Sequence, residues 1–176
     1  DYKLSSNTVT IPAGSKTSTA KIQNIDDQID EENEEIIIGI KDVTGGSGAK
    51  EYGEQKASLT INDDDQAGFT LSKSSALVTE NGDTEVFTIV LNSRPTENVV
   101  FNINSENVKE AKVSKSTLIF TNSNWNIPQE VIITGIDDEE IDSATNSKIT
   151  VSVNYSISSL TSSKFHNKAL KSLIEA

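Results

Sequence analysis

Phe87-Thr88-Ile89-Val90-Leu91 alternates apolar with polar or small positions, and this period of two places Phe87, Ile89 and Leu91 on one face of a β-strand. The same alternation recurs at Val99, Phe101 and Ile103, and again at Ile149, Val151 and Val153. In the first half of the chain it predicts a further strand at Val9 and Ile11. Clusters of Gly, Asn, Ser and Pro separate these segments, which is typical of turns between antiparallel strands. The sequence therefore predicts an all-β chain of immunoglobulin-like antiparallel sandwiches.

A repeat divides the chain. Ala20-Lys21-Ile22-Gln23-Asn24-Ile25-Asp26-Asp27 is similar to Glu130-Val131-Ile132-Ile133-Thr134-Gly135-Ile136-Asp137-Asp138, and Asp137 follows Asp26 by 111 residues, the length of a domain. The acidic residues 63–65 stand between one strand signal and the next. We therefore predict tandem modules at 1–65 and 66–176.

The first module is too short for a sandwich of about 100 residues, so we expect its early strands to be missing at the N-terminus. Half a sandwich would expose the apolar side chains of Val9, Ile11, Ile36 and Ile38. Either the sequence is cut from a larger polypeptide, or another chain supplies the absent strands.

Composition restricts the function classes. The formal charge is −12, there is no Cys, and there is one His, His166. Nucleic acid is an unfavourable partner for so acidic a chain. With no Cys and one His, the chain offers few residues for a zinc site, and a Ser-His-Asp triad would have no His besides His166. No apolar run approaches the ~20 residues that cross a bilayer, so we predict no membrane insertion by this segment.

Seven of the ten residues at 26–35 are acidic. A solvated charged loop is the simplest interpretation of such a run, but this one follows a strand and has a counterpart in the repeat. Converging carboxylates repel each other unless a cation neutralises them. Calcium, which takes six to eight oxygens from flexible loops, suits such a site better than magnesium. The spacing lacks the central Gly and the helices of an EF-hand.

Four motifs in order resemble the Calx-beta module of sodium/calcium exchangers, of an integrin cytoplasmic region and of large bacterial surface proteins. They are Asp1-Tyr2, Val9-Thr10-Ile11-Pro12-Ala13-Gly14, the acidic stretch of residues 25–34, and Leu59-Thr60-Ile61-Asn62-Asp63-Asp64-Asp65. The resemblance implies calcium ligands at Asp1, Asp26, Asp27, Glu31, Glu34, Asp63, Asp64 and Asp65.

Residues 68–176 resemble a divergent relative of that module found as tandem repeats in bacterial adhesins. The resemblance rests on Val78-Thr79-Glu80, Leu91-Asn92-Ser93-Arg94-Pro95, Trp125-Asn126-Ile127-Pro128-Gln129 and Thr134-Gly135-Ile136-Asp137-Asp138. It implies ligands at Glu80, Asp137, Asp138 and Asp142, with Glu110 as a further candidate. Ala144 departs from the pattern, because an acidic residue is common there.

The resemblance implies a calcium-binding structural or adhesive repeat of an extracellular or cell-surface protein, in a bacterium. Calcium would stiffen the junction between modules, and the partners would be neighbouring modules or copies of the same chain. The alternative is a calcium-sensing regulatory module of a membrane transporter or signalling protein. An enzyme is the least expected class, because paired acids such as Asp26 and Glu31 stand in a polar loop and not in a dry pocket.

Overall fold

The computed structural model describes residues 1–137 and 147–154 together with the backbone of a last strand at 171–175. These residues form twelve strands, all paired antiparallel, and no helix. Within them there is accordingly no helix long and apolar enough to cross a membrane. The strands are β1 (Tyr2–Leu4), β2 (Ile22–Asn24), β3 (Glu34–Gly39), β4 (Lys56–Ile61), β5 (Phe69–Leu71), β6 (Thr84–Leu91), β7 (Val99–Ser105), β8 (Ala111–Val113), β9 (Thr117–Phe120), β10 (Gln129–Gly135), β11 (Lys148–Val153) and β12 (Lys171–Glu175). The all-β prediction is confirmed.

The chain divides into two compact units, Asp1–Asp64 and Asp65–Ala176, which we call unit 1 and unit 2. The division falls inside the acidic stretch 63–65. Asp63 and Asp64 thus close unit 1, and Asp65 begins unit 2.

Unit 2 is a sandwich of two four-stranded sheets. One has the strand order β5-β6-β10-β8, and the other has the order β12-β11-β7-β9. The alternation that predicts these strands also fixes their register. In β7 and β11, for example, Phe101 lies opposite Val153 and Ile103 opposite Val151, so large apolar residues meet on the inner face.

The core of unit 2 is built from both inner faces. Phe101 is fully buried, and its ring meets Phe69 and Phe120 edge-on at centroid distances of 4.9 and 5.8 Å. Ile89 and Ile133 from the opposite sheet belong to the same cluster, and Trp125 packs against it while partly buried.

Unit 1 contains two separate two-stranded sheets, β1-β2 and β3-β4. Most of its large apolar residues are exposed; Val9 is 45% and Ile11 is 56% exposed. Two expectations are wrong. Ile36 is buried, at 7% exposure, and the apolar pair Val9 and Ile11 lies in no strand.

The end of β10 packs closely against the segment that precedes β6. A Cβ atom added at Gly135 would lie 2.0 Å from the carbonyl oxygen of Thr79, and the Gly135 amide donates to the carbonyl of Asp83 at 3.1 Å. Only a residue without a side chain fits this approach of two backbones. Gly135 thus fixes the turn at 80–82 against the end of the sheet.

We expect Phe101→Ala to destabilise unit 2 by about 3–5 kcal/mol, because it removes a fully buried ring that contacts two others. The measurement is chemical denaturation followed by fluorescence of Trp125, the single Trp, which reports on the core of unit 2. Ile119→Ala, on β9 at 48% exposure, is the control and should cost less than about 1 kcal/mol. Equal effects of the two variants would contradict this packing.

We expect Gly135→Ala to destabilise the same unit by about 1–3 kcal/mol, because the new methyl group collides with the backbone of Thr79. The neighbouring Thr134→Ala changes a half-buried position of the same strand and should cost less than about 1 kcal/mol. Denaturation followed by Trp125 fluorescence measures both variants. A Gly135→Ala protein as stable as the parent would show that the two backbones do not approach as described.

Candidate metal centre

The acidic loop of unit 1 joins β2 to β3 and begins beside Asp1. The amide of Ile25 donates to the carbonyl of Asp1 at 2.8 Å, which continues the β1-β2 ladder by one further hydrogen bond. Asp1 therefore lies opposite Ile25, which precedes Asp27 by two residues, although Asp1 and Asp27 are far apart in the sequence.

Side-chain oxygens fold the loop back on itself. Asp27 Oδ1 accepts a hydrogen bond from the amide of Ile29 at 2.8 Å, which turns the chain just after the strand. Further along, the amide of Glu31 donates to Asp63 Oδ2 at 3.1 Å, and the amide of Asp63 donates to Asn33 Oδ1 at 2.9 Å. The loop is thereby attached to the residues that follow β4.

These contacts bring three carboxylates together. One oxygen from each of Asp1, Asp27 and Glu31 lies within 4.8 Å of the others, and all three side chains are exposed. It is the sole such group of three acids or imidazoles in the part of the chain that the structure describes.

The donor set fits a hard cation. Three carboxylates supply part of the six to eight oxygens that calcium takes, and water can complete the shell at an exposed loop. Repulsion between carboxylates at this spacing costs only about 1 kcal/mol per pair in water, so the loop can hold the three groups together before a cation arrives. Such an open site predicts modest affinity.

The other predicted ligands of unit 1 take different positions. Asp26, Glu34 and Asp64 are exposed and lie outside the group of three. Asp63 is half-buried and acts as an acceptor for the backbone of the loop. Asp65 belongs to unit 2.

In unit 2, three of the predicted ligands lie on segments that backbone hydrogen bonds hold near one another. The amide of Ile136 donates to the carbonyl of Glu110 at 2.9 Å, and Asp137 follows directly. Glu80 stands in the turn beside Gly135. Over the described residues these acids do not form a group of three with adjacent oxygens, and Asp138 and Asp142 lie outside those residues.

The hydrogen bond from Ile136 to Glu110 has a counterpart in unit 1, where Ile25 donates to Asp1. The sequence repeat aligns Ile25 with Ile136 and Asp27 with Asp138. Glu110 therefore occupies in unit 2 the position that Asp1 occupies in unit 1.

One residue that shapes the loop of unit 1 was missed in the sequence. Asn33 carries no charge, so an argument from acidic residues passes over it, yet it holds the amide of Asp63. Asp83 accepts a hydrogen bond from Thr79 Oγ1 at 2.6 Å and so closes the turn at 80–82. It follows Asn81-Gly82 in one of the clusters that predict turns, and the turn at 80–82 confirms that prediction.

One acid with a shifted pKa stands apart from both candidate sites. The Lys73 ammonium donates to the Glu85 carboxylate and attracts it, which lowers the pKa of Glu85 below its ordinary value. Glu85 is thus engaged in an ion pair on the surface of unit 2.

No protein-family model matches this chain, and no curated protein matches it either. Similar solved structures include SSP-19 from Caenorhabditis elegans, described as an MSP-domain protein like family member, at 19% identity with a TM-score of 0.38. That match covers 48% of this chain and 71% of SSP-19. Another is WR4, an MSP family member from C. elegans, at 10% identity with a TM-score of 0.40, covering 61% of this chain and 96% of WR4.

Proposed function

We propose that this chain is a calcium-binding structural segment, built of tandem Calx-beta-like sandwiches, in an extracellular or cell-surface protein. The observation that carries the proposal is the convergence of Asp1, Asp27 and Glu31 from two distant parts of the sequence. All three donors are carboxylate oxygens, the ligand type that calcium prefers.

The connection from the loop to Asp63 supports a mechanical role. Calcium at Asp1, Asp27 and Glu31 would order the loop, and the hydrogen bond from Glu31 to Asp63 attaches that loop to the last residues of unit 1. The acidic stretch 63–65 would then lose conformational freedom on binding, which would stiffen the chain where the units join. Neighbouring modules, or copies of the chain in a surface assembly, are the partners that such a rod implies.

Affinity separates this role from calcium sensing. Sensors bind at ~10⁻⁷ to 10⁻⁵ M, whereas extracellular modules bind at ~10⁻⁴ to 10⁻³ M. The three carboxylates are exposed and supply only part of the six to eight oxygens that calcium takes, which favours the weaker range. A titration by calorimetry that gives a micromolar or tighter constant would support the regulatory alternative in its place.

We expect 10 mM calcium to stabilise unit 1 by about 1.4–2.7 kcal/mol, the linkage energy for a dissociation constant of ~10⁻⁴ to 10⁻³ M. Hydrogen exchange at the amides of Ile29 and Glu31 should slow on adding calcium and recover with a chelator. Small-angle scattering should show a straighter particle with calcium. If a chelator changes neither the exchange rates nor the scattering curve, the proposal fails.

A matched pair of variants tests the ligands. Asp27→Asn with Glu31→Gln removes two charges from the group of three and should abolish the calcium-dependent slowing of exchange. Asp42→Asn with Glu32→Gln removes the same charge from exposed positions of unit 1 outside that group and should leave the effect intact. Equal loss in both double variants would indicate a diffuse attraction for cations and no defined site.

A further inference from the structure

The strand pairing of unit 1 repeats part of the pairing of unit 2. In unit 2, β8 pairs with β10, and β11 pairs with β12. In unit 1, β1 pairs with β2, and β3 pairs with β4, in the same chain order and the same antiparallel sense. The hydrogen bond from Ile25 to Asp1 matches the one from Ile136 to Glu110. These two pairs of residues therefore align unit 1 with unit 2.

On this correspondence, β1, β2, β3 and β4 match β8, β10, β11 and β12. The strands of unit 2 without a counterpart are then β5, β6 and β7, together with β9. Unit 1 does contain a segment that aligns with β9. Val9 and Ile11 precede β2, just as Leu118 and Phe120 precede β10. Only the first three strands lack an equivalent.

The edges that these strands cover in unit 2 are open in unit 1. β6 pairs with the second edge of β10, and β7 pairs with the second edge of β11. Among the described residues no strand pairs with the second edge of β2 or of β3. Such edges present unpaired amides and carbonyls that accept an added strand.

Residues 9–11 also lack the strand partner that their counterpart has in unit 2. Their counterpart β9 pairs with β7 alone. Without a β7 equivalent residues 9–11 form no strand, and Val9 and Ile11 are 45% and 56% exposed, whereas Leu118 and Phe120 are 3% and 0% exposed. Both the backbone and the apolar side chains of this segment lack a partner of the β7 type.

We infer that unit 1 is an acceptor for a three-stranded β segment with the pattern of this chain's own β5–β7. Its second strand would extend the β1-β2 sheet at β2. Its third strand would enter between β3 and residues 9–11 and would cover Val9, Ile11 and Ile38 with an alternating apolar face like that of Val99, Phe101 and Ile103.

A second copy of unit 1 fits this position less well. Unit 1 carries thirteen acidic and six basic residues, a formal charge of −7, so two such units would repel each other. A copy would also bring the same strands and leave the positions of β5–β7 empty. Strand addition at these edges requires no bound calcium.

The test is an extended chain in which a copy of residues 66–109 is placed ahead of Asp1. Asp1 then stands where Glu110 stands in unit 2, and the link from the added third strand to β1 keeps the five-residue length of 106–110. Hydrogen exchange at the amides of Val9, Thr10 and Ile11 is the readout, because these residues become a strand only if the added segment docks. We expect their exchange to slow on the order of tenfold or more.

The control is the same extended chain with Phe101→Asp in the added copy, which spoils the inner face without changing the length of the extension. It should leave exchange at residues 9–11 as fast as in the parent chain. Unchanged exchange in the first extended chain, or equal slowing in both, would overturn the inference. So would a parent chain that is dimeric with residues 9–11 already protected, because a second copy would then be the occupant.

Discussion

Strand β7 is the element on which unit 2 depends. It is hydrogen-bonded to β11 along one edge and to β9 along the other, so it satisfies backbone groups of two strands at once. Its Val99, Phe101 and Ile103 side chains are fully buried and meet residues of the opposite sheet. A strand in this position supplies both requirements of a sandwich, namely paired backbone and a filled core.

Among the residues that the structure describes, no strand of unit 1 is paired along both of its edges. Its sheets stop at two strands each, which is below the number that is stable alone in water unless something packs on them. Ile36 is buried, but Ile38 and Ile40, next along the same face, are 39% and 53% exposed. The apolar pattern is therefore present in the sequence of unit 1, while the surface that would bury it is not among the described residues.

The difference between the units also explains how far the sequence could predict the structure. Alternation at Phe87, Ile89 and Leu91 predicts the strand correctly because β6 has its partners close by in unit 2. The same kind of signal at Val9 and Ile11 fails, because a strand needs a neighbour to hydrogen-bond and no propensity of its own residues can replace it. The local pattern predicts which residues tend to form a strand, and the presence of a neighbouring strand decides whether they do.

In the acidic loop, too, the sequence predicts the kind of site, and the surrounding structure decides which residues form it. The concentration of carboxylates at 26–35 predicts a cation site, but it cannot separate Asp27 and Glu31, which meet Asp1, from Asp26 and Glu34, which do not. That choice is made by backbone amides that donate to the carbonyl of Asp1, to Asp63 Oδ2 and to Asn33 Oδ1, so uncharged atoms take part in it together with the acids.

The negative charge of unit 1 affects both its acidic loop and its open strand edges. Its −7 is carried by 64 residues, whereas the remaining 112 residues carry −5, so self-repulsion is strongest in the unit with the smaller core. A cation at the loop would reduce that repulsion, and added strands would increase the buried apolar surface. The loop joins β2 to β3, whose counterparts β10 and β11 are paired along both edges in unit 2. Pairing the open edges of β2 and β3 would therefore also fix both ends of the loop and hold its carboxylates in place. Strand addition and cation binding would therefore favour each other in unit 1, although each acts through a different physical interaction.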